Sequence, residues 1–287
     1  MVMVFVNMIH ISGGISLNTV FIDLPGVSNA RELGGYRIGE KKIVTGRLLR
    51  TGALIGIEEE GVNMLRNTYH VQTVIDFRMS TEHDHRPDPE IPEARNIHLP
   101  IFELEDMFSD VDPSVIKLYS DPNCDRMAFF EGAYAEGKLS DQMYIGFLLQ
   151  EKGKNGWKRF FEELLKVEDD RAFLWHCTDG KDRAGCGAML ILSALGADKE
   201  TIMWDYLQTN SGNEKRLNAL KAQVAPLGWP EEKVEALLFL SGGVFDRYMI
   251  NAITALEKNY GSVMGYLREE LGIGDLETEV LRDRYLR

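Results

Sequence analysis

Apolar and polar positions along the chain fall into two kinds of segment. The short, nearly continuous apolar runs "NTVFIDL" (18–24), "GRLLRT" (46–51), "VQTVIDF" (71–77), "RNIHLP" (95–100) and "AFLWHC" (172–177) predict strands. Those at 71–77 and 172–177 lack a polar face, as strands buried on both sides of a mainly parallel sheet do. Between them, helical spacing covers 58–68, 125–150, 155–168, 184–196 and 199–209. Beyond residue 198 the chain reads as helix throughout. In "WPEEKVEALLFL" Pro230 stands at a helix start with Glu231 and Glu232 in the first turn, and "GSVMGYLREELGIG" ends at Gly272, a C-cap glycine.

Strands alternating with helices, then a helical tail, predict an α/β fold with a mainly parallel central sheet flanked by helices. No repeat or linker divides it, so 1–287 is expected to be one domain, with 199–287 its helical part. The stretch 101–155, rich in Met, Phe and Tyr, is longer than a crossover requires. Two readings of it stand side by side: a helical lid or insertion, and additional core helices.

Composition narrows the partners. A formal net charge of −13 over 287 residues argues against a nucleic-acid binder, but not against a small anionic substrate met by local positive potential. Three cysteines, at 124, 177 and 186, without a CxxC, make no disulfide framework. His83-Asp84-His85 has no second ligand cluster beside it, so neither a metal nor another cofactor is expected. Apolar runs such as "AMLILSALGA" (188–197) fall short of the ~20 residues of a transmembrane segment. The apolar start "MVMVFVNMIHISGGISL" has no Lys or Arg ahead of it and no small-x-small cleavage site. It reads as an early strand or docked segment, with a cytoplasmic location as the default.

The chemistry concentrates in "FLWHCTDGKDRAG" (173–185). A strand delivers Cys177; Thr178, Asp179, Gly180, Lys181 and Asp182 follow; Arg183 closes the loop where helical residues resume at Ala184. Such a turn points successive backbone N–H groups inward as a nest, and the following helix adds its positive end. Gly180 and Gly185 allow unusual backbone angles and close approach, while Arg183 offers a planar fork for phosphate oxygens. A thiol in that field is a thiolate, poised for in-line attack on phosphorus with a thiophosphate intermediate and no metal. The bland alternative, a buried cysteine before a charged helix start, leaves the joint occurrence of His176, Cys177, Gly180, Lys181, Arg183 and Gly185 unexplained.

"HCTDGKDRAG" resembles the HCxxGKDRxG signature of the bacterial atypical protein-tyrosine and phosphoinositide phosphatases, within the cysteine-phosphatase superfamily. "NARELGGY" (29–36), "GRLLRTGAL" (46–54), "VIDFRMSTE" (74–82), "LSALGADKETIMWDYLQTN" (192–210) and "YGSVMGYLREELGI" (260–273) resemble further blocks, so the likeness spans about 18–285. Ala30 and Glu32 depart from the pattern, and Ala184 replaces a frequent Thr or Ser, removing one hydrogen bond available to the cysteine sulfur.

The resemblance implies a cysteine-phosphatase fold and phosphomonoesterase activity on phosphotyrosine proteins, with dual specificity or phosphoinositides as extensions and inorganic phosphate as product. It places both Asp182 and Asp76 in the active site; Asp182 is preferred as general acid, Asp76 being the alternative or an orienting group. Thr178, Asp179, Gly180, Lys181 and Ala184 are the expected substrate-binding positions, with Lys181 projecting toward the pocket mouth, where phosphoinositide-type enzymes read further phosphates. Arg78 belongs with them or forms an i,i+4 ion pair with Glu82. Arg31 is a candidate anchor of the N-terminal block against the loop, and His176 a candidate for fixing the cysteine loop.

Cys186 reads as a core residue or as a resolving thiol for Cys177. Phe102, Phe108, Tyr119, Phe129, Phe130 and Tyr144 are candidates to wall an apolar cleft, against a plain core role. Sulfurtransferase and arsenate-reductase readings fit the loop's arginine or its position less well. A catalytically silent phosphate-binding module is the remaining alternative.

Overall fold

The computed structural model of the chain describes residues 20–103, 126–135 and 141–287. Its strands are β1 (Val20–Phe21), β2 (Arg31–Glu32), β3 (Arg37–Ile38), β4 (Lys41–Lys42), β5 (Leu48–Thr51), β6 (Val71–Asp76), β7 (Arg95–His98) and β8 (Ala172–His176). The described helices before the loop are α1 (Glu59–Asn63), α2 (Ser80–His85), α3 (Arg126–Ala135), α4 (Met143–Leu149) and α5 (Glu151–Leu165). After it come α6 (Asp182–Leu195), α7 (Lys199–Gly212), α8 (Glu214–Val224), α9 (Glu231–Leu240), α10 (Asp246–Tyr260), α11 (Val263–Glu269) and α12 (Asp275–Tyr285). None of the described helices is long and apolar enough to cross a membrane.

Six strands form one sheet in the order β1-β2-β5-β8-β6-β7, with β5, β8, β6 and β7 parallel and the β1–β2 edge antiparallel. The mainly parallel α/β sheet expected from the sequence is therefore present. Its central strands show why their sequences lack a polar face. Along β8, Phe173 and Trp175 enter one buried cluster and Ala172 and Leu174 the other; Leu48 and Leu49 of β5 divide the same way, as do Ile75 and Val74 of β6. Period-two alternation thus fills two cores, one on each face.

The register sets the functional edge. Thr51 and Asp76 both lie level with His176, so the parallel strands β5, β6 and β8 end together. The loops after them share the carboxyl edge, where parallel sheets gather their chemistry. The expected strand at 18–24 shortens to β1, with Ile22 and Leu24 buried beyond it. The helical run 125–150 holds α3 and α4 among its described residues, and Gln150, extended (φ −71°, ψ 150°), closes it; α5 then begins at Glu151, ahead of the expected 155. Within 101–155, Tyr144, Phe147 and Leu148 join Trp157 of α5 in the main core, so α4 is a core helix. Phe130 of α3 packs instead with Val224 and Leu237. Phe108 and Tyr119, named from the sequence, lie outside the described residues.

Candidate active site

Cys177 directly follows β8 and is 1% exposed. The chain then turns over Thr178–Lys181 into α6, whose first residue is Asp182. Gly180 is indispensable to that turn for two reasons. Its φ is +67°, and a Cβ there would lie 2.5 Å from the Thr51 carbonyl oxygen and 2.7 Å from the Gly52 nitrogen. The loop is pressed against the end of β5.

Two side chains pull the loop's carbonyls to one side. Asn29 Nδ2 donates to the carbonyls of Asp179 and Gly180, each at 3.0 Å, and Arg50 Nη2 donates to Gly180 O at 2.9 Å and Lys181 O at 3.5 Å. Planar trans peptides then turn the N–H groups of Gly180, Lys181 and Asp182 the opposite way. This is how backbone amides are aimed as a nest. The bracing residues are themselves held by Asp205 of α7. Its carboxylate accepts from Arg31 Nε at 3.1 Å, from Tyr36 OH at 3.1 Å and from Arg50 Nη1. Arg31, Arg50 and Asp205 are at most 1% exposed. Burial pushes the Asp205 carboxyl up, but the two guanidiniums outweigh it and hold it below the ordinary carboxylate range. Arg31, expected to anchor the N-terminal block to the loop, reaches it through Asn29 Oδ1 and binds α7 through Asp205 and Thr209.

Arg183 is buried. Its Nη1 donates to Phe77 O at 3.2 Å and to Glu82 Oε2 at 2.8 Å, and its Nη2 donates to Thr178 Oγ1 at 3.1 Å. The guanidinium lies 5.2 Å from the centroid of Phe102. Thr178 Oγ1 also donates to Glu82, completing a triangle. Burial pushes the Glu82 carboxyl up, but Arg183 and Thr178 bring it below its ordinary value, so Glu82 is a carboxylate that orients the phosphate-binding arginine. The expected Arg78–Glu82 pair is replaced by Arg183–Glu82. The reason is geometric: α2 begins at Ser80, so Arg78 does not share its face with Glu82.

Asp182 takes a 2.6 Å hydrogen bond from Tyr144 OH on Oδ1, and its Oδ2 lies 3.5 Å from Lys181 Nζ. Lys181 itself does not project toward the pocket mouth. It is 3% exposed; its ammonium donates to the Phe239 and Gly243 carbonyls and sits 4.1 Å from the centroid of the Phe239 ring. Carbonyls at the C-terminal end of α9 and just beyond it capture the charge that the sequence assigned to substrate. Asp179 pairs at the rim with Arg216 at 3.1 Å. Ala184, also expected to bind substrate, is wholly buried in the main core and gives its carbonyl to Trp175 Nε1.

Arg78 is likewise held by protein groups. It is 2% exposed, donates to both oxygens of Asp76, and reaches Asp88 Oδ1 at 2.9 Å and Arg86 O at 2.8 Å. His176 lies between the same carboxylates. Its Nε2 is 2.8 Å from Asp88 Oδ2, close but outside hydrogen-bond alignment, and its Nδ1 is 3.8 Å from Asp76 Oδ1 and 3.2 Å from Cys177 O. Burial pushes the Asp76 carboxyl up, but His176 and Arg78 outweigh it, leaving Asp76 far below the ordinary carboxylate range. Burial likewise lowers His176, and Asp88 and Asp76 more than reverse this, leaving it raised.

Both charged forms are therefore native, and the signs predict a pH window. A depressed carboxyl stabilises the fold above the ordinary carboxylate range and loses that contribution as pH falls toward its native value. A raised imidazole stabilises it below its ordinary value and loses that as pH rises through its native value. Melting temperature is expected to peak between these limits, and His176→Gln to flatten the alkaline side of a melting-temperature profile. Equal alkaline slopes in wild type and variant would contradict the assignment.

Two groups bring cation-ligating atoms together among the described residues: Asp76, His83 and His98, and Asp76, Asp88 and His176. Both depend on Asp76, whose oxygens Arg78 already holds. A cation would have to displace a guanidinium, so neither is assigned as a metal site. Of the HxH pair, His83 stacks on His98 at 4.0 Å and contacts Asp76 at 3.0 Å. Of the proposed aromatic wall, Phe102 and Tyr144 reach the loop, whereas Phe130 packs beside Tyr134 and Trp229. Cys186 is fully buried in α6; burial, then the neighbouring Asp182, pushes its thiol well up, which disfavours it as an attacking thiolate.

Sequence reasoning missed Asn29, Arg50 and Asp205, and paired Glu82 with Arg78 rather than Arg183. Of the three missed residues, two carry a local signal: Arg50 is a charge inside an apolar strand, and Asp205 a charge between Trp204 and Tyr206.

A thiol and a guanidinium at the two ends of a braced strand-to-helix loop define the cysteine-phosphatase class of site. The chain belongs to the tyrosine phosphatase family, whose model matches residues 22–287. It is accordingly a phosphatase, a phosphoric monoester hydrolase. It is 27% identical over 262 residues to a tyrosine-protein phosphatase of Cupriavidus necator, covering 91% of this chain and 86% of that one. It is also 27% identical over 264 residues to the triple specificity protein phosphatase PtpB of Mycobacterium tuberculosis, covering 86% and 92%. The P. aeruginosa TpbA structure in complex with pTyr aligns over 77% of this chain and 96% of that one, at 13% identity and a TM-score of 0.34.

Proposed function

We propose that the protein hydrolyses phosphotyrosine esters through a phosphocysteine on Cys177, without a metal. The observation that carries this reading is the loop's backbone: Asn29 and Arg50 hold the carbonyls of residues 179–181 aside, leaving the amides for an oxyanion. Cys177 Sγ attacks phosphorus in line; the S–P bond forms as the P–O bond to the tyrosyl oxygen breaks. Arg183, oriented by Glu82 and Thr178, carries the equatorial charge. Asp182 donates its proton to the leaving phenolate, then as carboxylate takes one from the water that releases inorganic phosphate. Asp76, ionised and bound to Arg78, is the orienting group rather than the acid.

Lys181, committed to the Phe239 and Gly243 carbonyls, is withdrawn from recognition of a second phosphate, which supports a monophosphorylated aryl ester over a phosphoinositide. The name of the Mycobacterium tuberculosis relative, a triple specificity phosphatase, is the reason to test more widely. Steady-state hydrolysis of phosphotyrosine peptide, phosphoserine peptide and phosphoinositides, in chelator, is expected to rank phosphotyrosine first. Phosphoinositide turnover exceeding it would overturn the substrate assignment, and activity abolished by chelator would overturn the mechanism.

A further inference from the structure

Tyr144, on core helix α4, is 0% exposed and outside the signature loop, yet its hydroxyl touches the residue that supplies the proton. We propose that Tyr144 is a positioning residue for the general acid, fixing the carboxyl of Asp182 through a hydrogen-bond chain that begins at Tyr206. This rests on the reading of Asp182 as the acid.

The direction of the chain follows from donor counting. The single Tyr144 proton goes to Asp182 Oδ1 at 2.6 Å. Tyr206 OH, 3.0 Å from Tyr144 OH, must then donate to the Tyr144 oxygen. Tyr206 follows Asp205 on α7, and its ring lies 3.4 Å from the position a Cβ on Gly185 would take. One helix thus starts the chain and braces the loop.

The groups facing Asp182 are Lys181 from the loop, Tyr144 from α4, Cys186 from α6, Tyr206 from α7 and Tyr248 from α10. Burial pushes the Tyr144 and Tyr206 phenols well up, so both remain donors at any working pH. Without the Tyr144 hydroxyl the Asp182 carboxyl loses the donor that fixes its orientation, and proton delivery weakens.

The test is the pH dependence of kcat/KM on p-nitrophenyl phosphate and phenyl phosphate for wild type, Tyr144→Phe, Tyr206→Phe and Asp182→Asn. Tyr144→Phe keeps the ring and its packing against Phe147, Tyr248 and Phe239. It is expected to displace the alkaline limb from its wild-type position. It should also slow phenyl phosphate, the poorer leaving group, roughly tenfold more than p-nitrophenyl phosphate. Tyr206→Phe is expected to move the limb in the same direction by less, and Asp182→Asn to abolish it. An alkaline limb unmoved in Tyr144→Phe but lost in Asp182→Asn overturns the positioning role alone. A limb that persists in Asp182→Asn overturns the assignment of the acid, and this inference with it.

Discussion

Cys177→Ser is expected to abolish turnover, lowering kcat on p-nitrophenyl phosphate by about 10⁴-fold or more while leaving the melting temperature close to wild type. The size follows from what the loop provides. Backbone amides and Arg183 stabilise a negatively charged nucleophile and a phosphoryl dianion together, and sulfur carries that negative charge readily as a thiolate. A serine hydroxyl does not, and the described residues place no second group as its general base: His176 is buried between Asp76 and Asp88, and Asp182 is committed to proton delivery. The cradle itself survives, so inorganic phosphate should still bind the variant. Retention of more than about a hundredth of wild-type activity would contradict a cysteine nucleophile.

Asp205→Asn carries the largest expected loss of stability. The wild-type carboxylate pairs with both Arg31 and Arg50, neither of which reaches solvent. The amide keeps the shape and removes the charge, leaving two buried guanidiniums in mutual repulsion; breaking a buried pair in this way costs about 3–5 kcal/mol. For a chain of this size that is a fall of about 6–20 °C in melting temperature. Catalysis should drop by about 10²-fold as well, because Arg50 holds the Gly180 and Lys181 carbonyls, and a small displacement of the loop misaligns the attack. A variant melting within about 2 °C of wild type would mean the triad is not the brace described.

What was legible in the sequence divides along physical lines. β5, β6 and β8 were visible because burial on both faces writes itself as an apolar run. β2, β3 and β4 are two residues each, too short for any period to register. α2, "STEHDH", has no apolar face; its start is held by Glu82 accepting the Met79 N–H at 2.9 Å and Glu103 accepting from Ser80. The loop from Cys177 to Arg183 was legible because its chemistry is local, set by spacing along one strand-to-helix turn.

Its supports were not, because they arrive from distant segments: Asn29 before β2, Arg50 on β5, Glu82 on α2, Tyr144 on α4 and Asp205 on α7. The aim of Lys181 failed for the same reason. Nothing near position 181 discloses that carbonyls of Phe239 and Gly243 will stand beside its ammonium. Tyr144 was visible only as an aromatic, and its hydroxyl acquired meaning when α4 packed beside Asp182.

The central claim is that phosphate passes through Cys177. The most direct measurement is an acid-quenched reaction with an aryl phosphate during turnover, digested and read by mass spectrometry. A phosphoryl group on the Cys177 peptide, absent from Cys177→Ser and accumulating in a variant slowed at hydrolysis, is the predicted result. Turnover at the wild-type rate in oxygen-18 water with unmodified Cys177 at every quench time, and a single direct transfer of phosphate to water, would contradict it.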